Sequence, residues 1–143
     1  MSKYDVSRFR NVTVALNTPF TKSGEVDLPP PEGLPATILT KALRALCMRK
    51  HRRGFSAGQR ERMAVVEAVK EEAGEEMAVI VHVGCPDTRH AAELARHAQK
   101  AGADATSAVP CVYYHLGEES VYRHWTAITE AATCPFSFIT YRS

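Results

Sequence analysis

Two adjacent phenols, Tyr113 and Tyr114, stand in the stretch CVYYHLGEE. A phenol near a reacting carbonyl can pass protons, but taken alone two neighbouring tyrosines read as loop packing. His82 and Cys85 in VHVGCP have the spacing of half a metal site. No second pair completes four ligands, so packing is the expectation. His90 and His97 lie seven apart on one helix and are expected to face solvent. His115 and His124 flank a later helix and are expected at the surface. Asp104, in the triplet GAD, is expected to serve the turn before a strand. Arg49, Lys50, His51, Arg52 and Arg53 form a dense cationic cluster that could contact phosphates. It lacks interleaved aromatics and any nucleic-acid fold signature, so a basic nucleic-acid-binding module is the weaker alternative. No P-loop, dinucleotide glycine pattern or Ser-His-Asp spacing is present.

The 143 residues fit one domain, 1–143, with a normal core. A net charge of +2 is too small to imply a nucleic-acid or membrane partner by itself. No apolar run approaches the roughly 18 residues needed to cross a bilayer, and MSKYDVSRFR has no apolar stretch of the signal-peptide kind. The four cysteines, Cys47, Cys85, Cys111 and Cys134, lie far apart and read as free thiols. The expected compartment is the cytoplasm.

These residues need elements to hold them. VTVALNTPF reads as a strand stopped by Pro19, and TKSGEVD as a turn in which Gly24 suits positive φ. Ser56 and Gln59 have capping-box spacing before a helix with Met63, Val66, Val69 and Ala73 on one face, stopped at Gly74. AVIVHVG is a strand. Asp87 can cap a helix whose buried stripe is Ala91, Leu94, Ala95 and Ala98, closed by Gly102. ADATSAVP is a weaker strand, residues 118–132 a helix with Val121, Trp125, Ile128 and Ala132 on one face, and CPFSFIT a last strand. Strands alternating with helices imply a parallel sheet, either half of a (β/α)₈ barrel or a small doubly wound sheet. A complete barrel needs about 250 residues.

The exception is residues 29–55. Four prolines fall within residues 28–35, and residues 33–60 hold seven Lys or Arg and no acid. ALCMRKHRRGF, Ala45 to Phe55, is expected to fit no part of a barrel.

Three stretches resemble the dihydrodipicolinate synthase and N-acetylneuraminate lyase family. ALNTPFTKSGEVD is similar to its first strand and turn, A-x-x-TPF-x-x-x-G-x-x-D. VIVHVGCPDTRHAAELARHAQKAGADATSAVP is similar to its third strand, third helix and fourth strand. CVYYHLGEESVYRHWTAI resembles its aromatic loop and fourth helix, nearest the N-acetylneuraminate lyase branch. The resemblance implies a partial TIM (β/α)₈ barrel, roughly strands 1–5, with the strand 2 region disrupted. It also implies a class I aldolase-type lyase. In that chemistry a sixth-strand lysine forms a Schiff base with pyruvate or a 2-keto acid, and the imine acts as an electron sink. No metal or other cofactor is implied. Tyr113 falls at the family's helper tyrosine.

Against that pattern the sequence lacks the G-[ST]-T-G-E carboxylate loop. The fifth-strand tyrosine should fall at Ile139, and Tyr141, two residues on, is displaced by about 6–7 Å along the strand. No Schiff-base lysine position is found. The expectation is therefore a catalytically silent partial barrel. The alternative is a non-catalytic or regulatory fragment that self-associates or joins full-length homologues through unpaired strand edges. The anomalous segment suggests a displaced reading frame. Permitted codons for Ala45–Phe55, read one base later, translate as Leu-Tyr-Val-Cys-Gly-Ser-Thr-Gly-Glu-Gly, a strand and then the missing loop. Similar shifts turn residues 32–44 into a family-like first helix and residues 138–143 into Tyr-Asn-Ile-Pro-Glu.

Overall fold

The computed structural model describes residues 6–9, 13–16, 21–27, 45–48, 58–75, 77–109 and 116–138. After a short 3-10 turn at Val6–Phe9 come five strands and three helices. They are β1 (Thr13–Leu16), β2 (Ala45–Met48), α1 (Gln59–Ala73), β3 (Ala78–His82), α2 (Thr88–Lys100), β4 (Ala105–Ala108), α3 (Glu118–Ala131) and β5 (Phe136–Phe138). The strands form one parallel sheet in the order β1-β2-β3-β4-β5.

Periodicity leaves half-barrel and doubly wound sheet equally open, and the topology separates them. A doubly wound sheet reverses its strand order and carries helices on both faces. Here the order is that of the chain. Val79, Val81 and Val83, on one face of β3 and its extension, share a single buried cluster with Val66 and Val69 of α1, Leu94, Ala95 and Ala98 of α2, and Ile128 of α3. The described helices therefore cover one face, as in the wall of a barrel. Val79 and Val83 are fully buried, and each such side chain contributes about 1.5–3 kcal/mol.

The helix ends show how local chemistry sets these lengths. Asp87 Oδ1 accepts from the His90 N–H at 2.9 Å, capping α2 as its sequence position suggests. Gly74 and Gly102 take φ of +53° and +84°, where a Cβ would be strained, and they terminate α1 and α2. Gly24 has φ +91° in a turn closed by its N–H to the Thr21 carbonyl at 3.0 Å.

Two expectations are corrected. The cap of α1 is Gly58, whose N–H donates to Glu61 Oε2 at 2.6 Å, so the reciprocal carboxylate comes from Glu61 rather than from a Ser56–Gln59 pair. Ser56 lies outside the described residues. Ala45–Met48, within the segment expected to fit no part of a barrel, is β2. It pairs in parallel with both β1 and β3, Cys47 opposite Ala15 and Ile80. Four consecutive apolar residues suffice for a strand that pairs on both sides in a parallel sheet, even with a cationic run directly after them in the sequence. Residues 49–57, with the cationic cluster, lie outside the described residues.

Candidate functional site

In parallel α/β sheets the chemistry gathers where the strands end at their carboxyl side. The best-defined part of that rim is the passage from β3 into α2. Val83 N–H donates to the Ser107 carbonyl at 2.8 Å, extending the ladder one residue past β3. Arg62 reaches over from α1. Its Nη2 donates to the His82 carbonyl at 2.7 Å and its Nη1 to the Gly84 carbonyl at 3.4 Å, so one guanidinium holds both ends of the HVG turn. Burial lowers the Arg62 pKa, and the neighbouring Cys85 thiol opposes that shift. Cys85 itself is half-buried.

His82 is buried, at 5% exposure. Gly84, two residues on, is needed beside it. A Cβ there would lie 2.7 Å from His82 Cε1 and 2.9 Å from Nε2, inside van der Waals contact. The bare glycine thus leaves room for the imidazole edge. Neither Arg62 nor Gly84 stands out in the sequence, because the partners of Arg62 are backbone carbonyls and that of Gly84 is a ring two residues back, whose direction only the fold sets.

The other expected residues separate. His90 is exposed, as expected. His97 is not: its Nε2 lies 2.8 Å from Glu67 Oε1 on α1 and its side chain is mostly covered. His124 is also corrected. It is buried at 5% exposure, with Nδ1 2.8 Å from Thr88 Oγ1. It sits one residue before Trp125 on the side of α3 that packs on α2, a position that an apolar-only stripe overlooks. Burial lowers its pKa, with the Asp87 carboxylate opposing. Asp104 performs the expected turn and more: Oδ2 accepts from Val79 N–H at 2.9 Å and from Lys70 Nζ at 3.2 Å, while its own N–H donates to the Val79 carbonyl.

Tyr113 lies outside the described residues, as do Tyr114, His115, Ile139 and Tyr141. By chain order Tyr113 falls between β4 and α3, past the carboxyl end of β4. Among the described residues, no group of three or more His, Cys, Asp or Glu side chains could hold a metal ion. The described lysines stand off the sheet: Lys22 in the turn after β1, Lys70 on α1 against Asp104, Lys100 in the last turn of α2. No described helix is long and apolar enough to cross a membrane.

Comparison with known proteins agrees with this architecture. The profile of the Dihydrodipicolinate synthetase family matches residues 8–142. An N-acetylneuraminate lyase of Mediterraneibacter gnavus is 30% identical over 134 residues, covering 90% of this chain and 41% of its own length. A 4-hydroxy-tetrahydrodipicolinate synthase of Chlorobaculum parvum is 34% identical, covering 86% of this chain and 42% of its own. Among solved structures, the wild-type sialic acid aldolase of Ruminococcus gnavus superposes with a TM-score of 0.82 at 30% identity, over 92% of this chain and 44% of that one. A prophage protein from E. coli, of the dihydrodipicolinic acid synthase family and solved with pyruvate, has the same fold, with a TM-score of 0.82 at 24% identity over 93% of this chain and 45% of that one. The chain spans less than half the length of these relatives.

Proposed function

We propose, for a chain that belongs to the dihydrodipicolinate synthetase family, that residues 1–143 supply the first five strands of a cytoplasmic pyruvate-type Schiff-base aldolase, and that by themselves they are catalytically silent. The lineage is that of aldolases acting through an amine. Forming the imine requires a deprotonated lysine inside the ring of strands, where it can attack a keto carbon while shielded from bulk water. The observation that carries the reading is where the described lysines lie. Lys70 is committed to a carboxylate on the helix side, and Lys22 and Lys100 occupy a turn and a helix end. None of these three lies on a described strand. Tyr113 belongs to this reading as the helper phenol that would pass a proton in a completed site.

The test is borohydride reduction of the 143-residue chain in the presence of pyruvate, with mass spectrometry as the readout. The expected result is no lysine-bound adduct above a denatured control. An adduct on one lysine, with aldol turnover, overturns the claim of silence.

A second reading is favoured by the sheet itself. Among the described residues β1 and β5 each pair on one side only, and an unpaired parallel edge is a template for another chain. On this reading the polypeptide associates with itself or with full-length homologues. Sedimentation over a concentration series tests it, a constant monomer mass counting against it.

A further inference from the structure

The start of α2 and the middle of α3 meet through one imidazole. Thr88, the first residue of α2, has its Oγ1 2.8 Å from His124 Nδ1. His124 is buried and meets the Trp125 ring edge-on, with centroids 5.8 Å apart. Among the described residues, Asp87 supplies the charge that acts on it. That carboxylate is engaged elsewhere, since its Oδ1 accepts from the His90 N–H at 2.9 Å and caps α2. Arg89 and His90, on the same turn, act on Asp87. Arg123, on α3, is paired with Glu119 at 2.7 Å, and His115 lies outside the described residues.

With the ring neutral and Nδ1 bare, the Thr88 hydroxyl donates to it and the bond spans the two helices. A proton on Nδ1 reverses that bond, so the hydroxyl has to turn and accept. It also sets a full positive charge against the N-terminus of α2, which already carries the positive end of the helix dipole. Asp87 is the anion at hand, and its side chain is 42% exposed, with room to turn. The oxygen that would meet the imidazolium is the one that satisfies the His90 N–H. Asp87 directly follows the turn whose Gly84 carbonyl Arg62 holds, so a loosened cap is felt at the carboxyl end of β3.

We propose that His124 is a proton-operated clasp between α2 and α3. Neutral, it holds the first turn of α2 through Thr88; protonated, it draws Asp87 off the His90 N–H and frees that turn while the rest of the chain stays folded. The lowered pKa that burial gives His124 places the change on the acid side of neutrality. The clasp does not rest on the aldolase reading.

The test is an NMR titration of the 143-residue chain, following the His124 ring nitrogens and the backbone amide at position 90, with circular dichroism as the check on folding. The exposed His90 ring also lies 3.6 Å from Asp87, so the titration is run in a His90→Gln background. The expected result is one shared midpoint for ring and amide. Amide protection against hydrogen exchange, corrected for the pH dependence of exchange itself, should fall about fivefold or more across that midpoint. His124→Gln should abolish the amide step. Thr88→Val, which removes the hydroxyl that favours the neutral ring, should move the ring midpoint upward and carry the amide step with it. Thr88→Val keeps the proposal testable if His124→Gln does not fold. An amide step that persists in His124→Gln overturns the proposal. So do unchanged amide protection across the ring titration, midpoints that separate in Thr88→Val, or a ring that stays neutral until the chain unfolds. No keto acid is involved, so failure here leaves the aldolase reading intact, and trapping of an imine leaves the clasp intact.

Discussion

Thr88 Oγ1 lies 2.8 Å from His124 Nδ1, tying the first turn of α2 to the middle of α3 through a buried imidazole. The neutral ring can accept the hydroxyl proton at Nδ1, whereas a protonated ring carries a hydrogen there and brings charge into a covered site. Burial is the first cause of the lowered His124 pKa, with Asp87 opposing.

The lowered pKa fixes the sign of the pH effect. The unfolded chain binds a proton at His124 near the ordinary value of about 6.5, and the folded chain only at lower pH. Stability is therefore full above that value and falls as pH drops from there toward the folded pKa. Urea midpoints are expected to be lower at pH 5 than at pH 7.5. His124→Gln should flatten that difference. Asp87, whose pKa is lowered chiefly by the His90 backbone N–H, gives a separate loss at still lower pH, below the ordinary carboxylate range. A pH profile identical in the His124 variant would count against this assignment.

Asp104 is the next test, because a single carboxylate serves two elements. Its Oδ2 meets both the Val79 N–H that opens β3 and the Lys70 ammonium of α1. Asp104→Ala removes the side-chain acceptor of the Val79 N–H and leaves the largely covered Lys70 ammonium with the Gly74 carbonyl at 3.3 Å but no carboxylate, at a cost of about 1–3 kcal/mol. Lys70→Met removes only the cation and is expected to cost less. Urea denaturation of the two variants checks the order, and equal losses would mean that the backbone contact contributes nothing.

Much of the fold is legible in the sequence because it is written in short-range chemistry. Asp87 and Gly74 declare a helix start and stop within a few residues of themselves, and the Ala91, Leu94, Ala95, Ala98 stripe sets the buried face of α2. His97 and His124 depart from their expected exposure because their partners, Glu67 and Thr88, are 30 and 36 residues away. A polar residue on a helix looks solvent-facing until the neighbouring helix is in place. The Arg62 contact is hidden for a similar reason: its partners are carbonyls, and every residue has one. Tyr113, recognised from its family motif, falls in a stretch outside the described residues, so its role still rests on resemblance.

The Gly84–His82 contact yields a prediction of coupling. Gly84→Ala places a methyl 2.7 Å from the His82 ring and should cost about 1–3 kcal/mol through overpacking. In a His82→Ala background the same change should be close to neutral, since the obstructing ring is gone. A double-mutant cycle by urea unfolding measures the difference. Additive losses would show that Gly84 is required by its backbone or by Val109 N, 3.3 Å from the added carbon, and not by the imidazole.

The last prediction concerns the coding DNA. The structure places β2 at Ala45–Met48, in register with β1 and β3. An in-frame Ala-Leu-Cys-Met and a one-base-later Leu-Tyr-Val-Cys would both make an apolar strand there, so the strand cannot discriminate between them. The residues beyond its carboxyl end can. The frame as written continues into Arg49, Lys50, His51, Arg52 and Arg53. The displaced frame continues into Gly-Ser-Thr-Gly-Glu, small residues whose backbone N–H groups and hydroxyls suit a carboxylate at the end of a parallel strand. We expect the codons for residues 45–55 to be those that give Leu-Tyr-Val-Cys-Gly-Ser-Thr-Gly-Glu-Gly one base later. Independent resequencing then distinguishes a shift in the gene from one in the read. Codons at these positions that forbid the displaced translation would remove the frame argument, and the cationic cluster would stand as a feature of the protein in its own right.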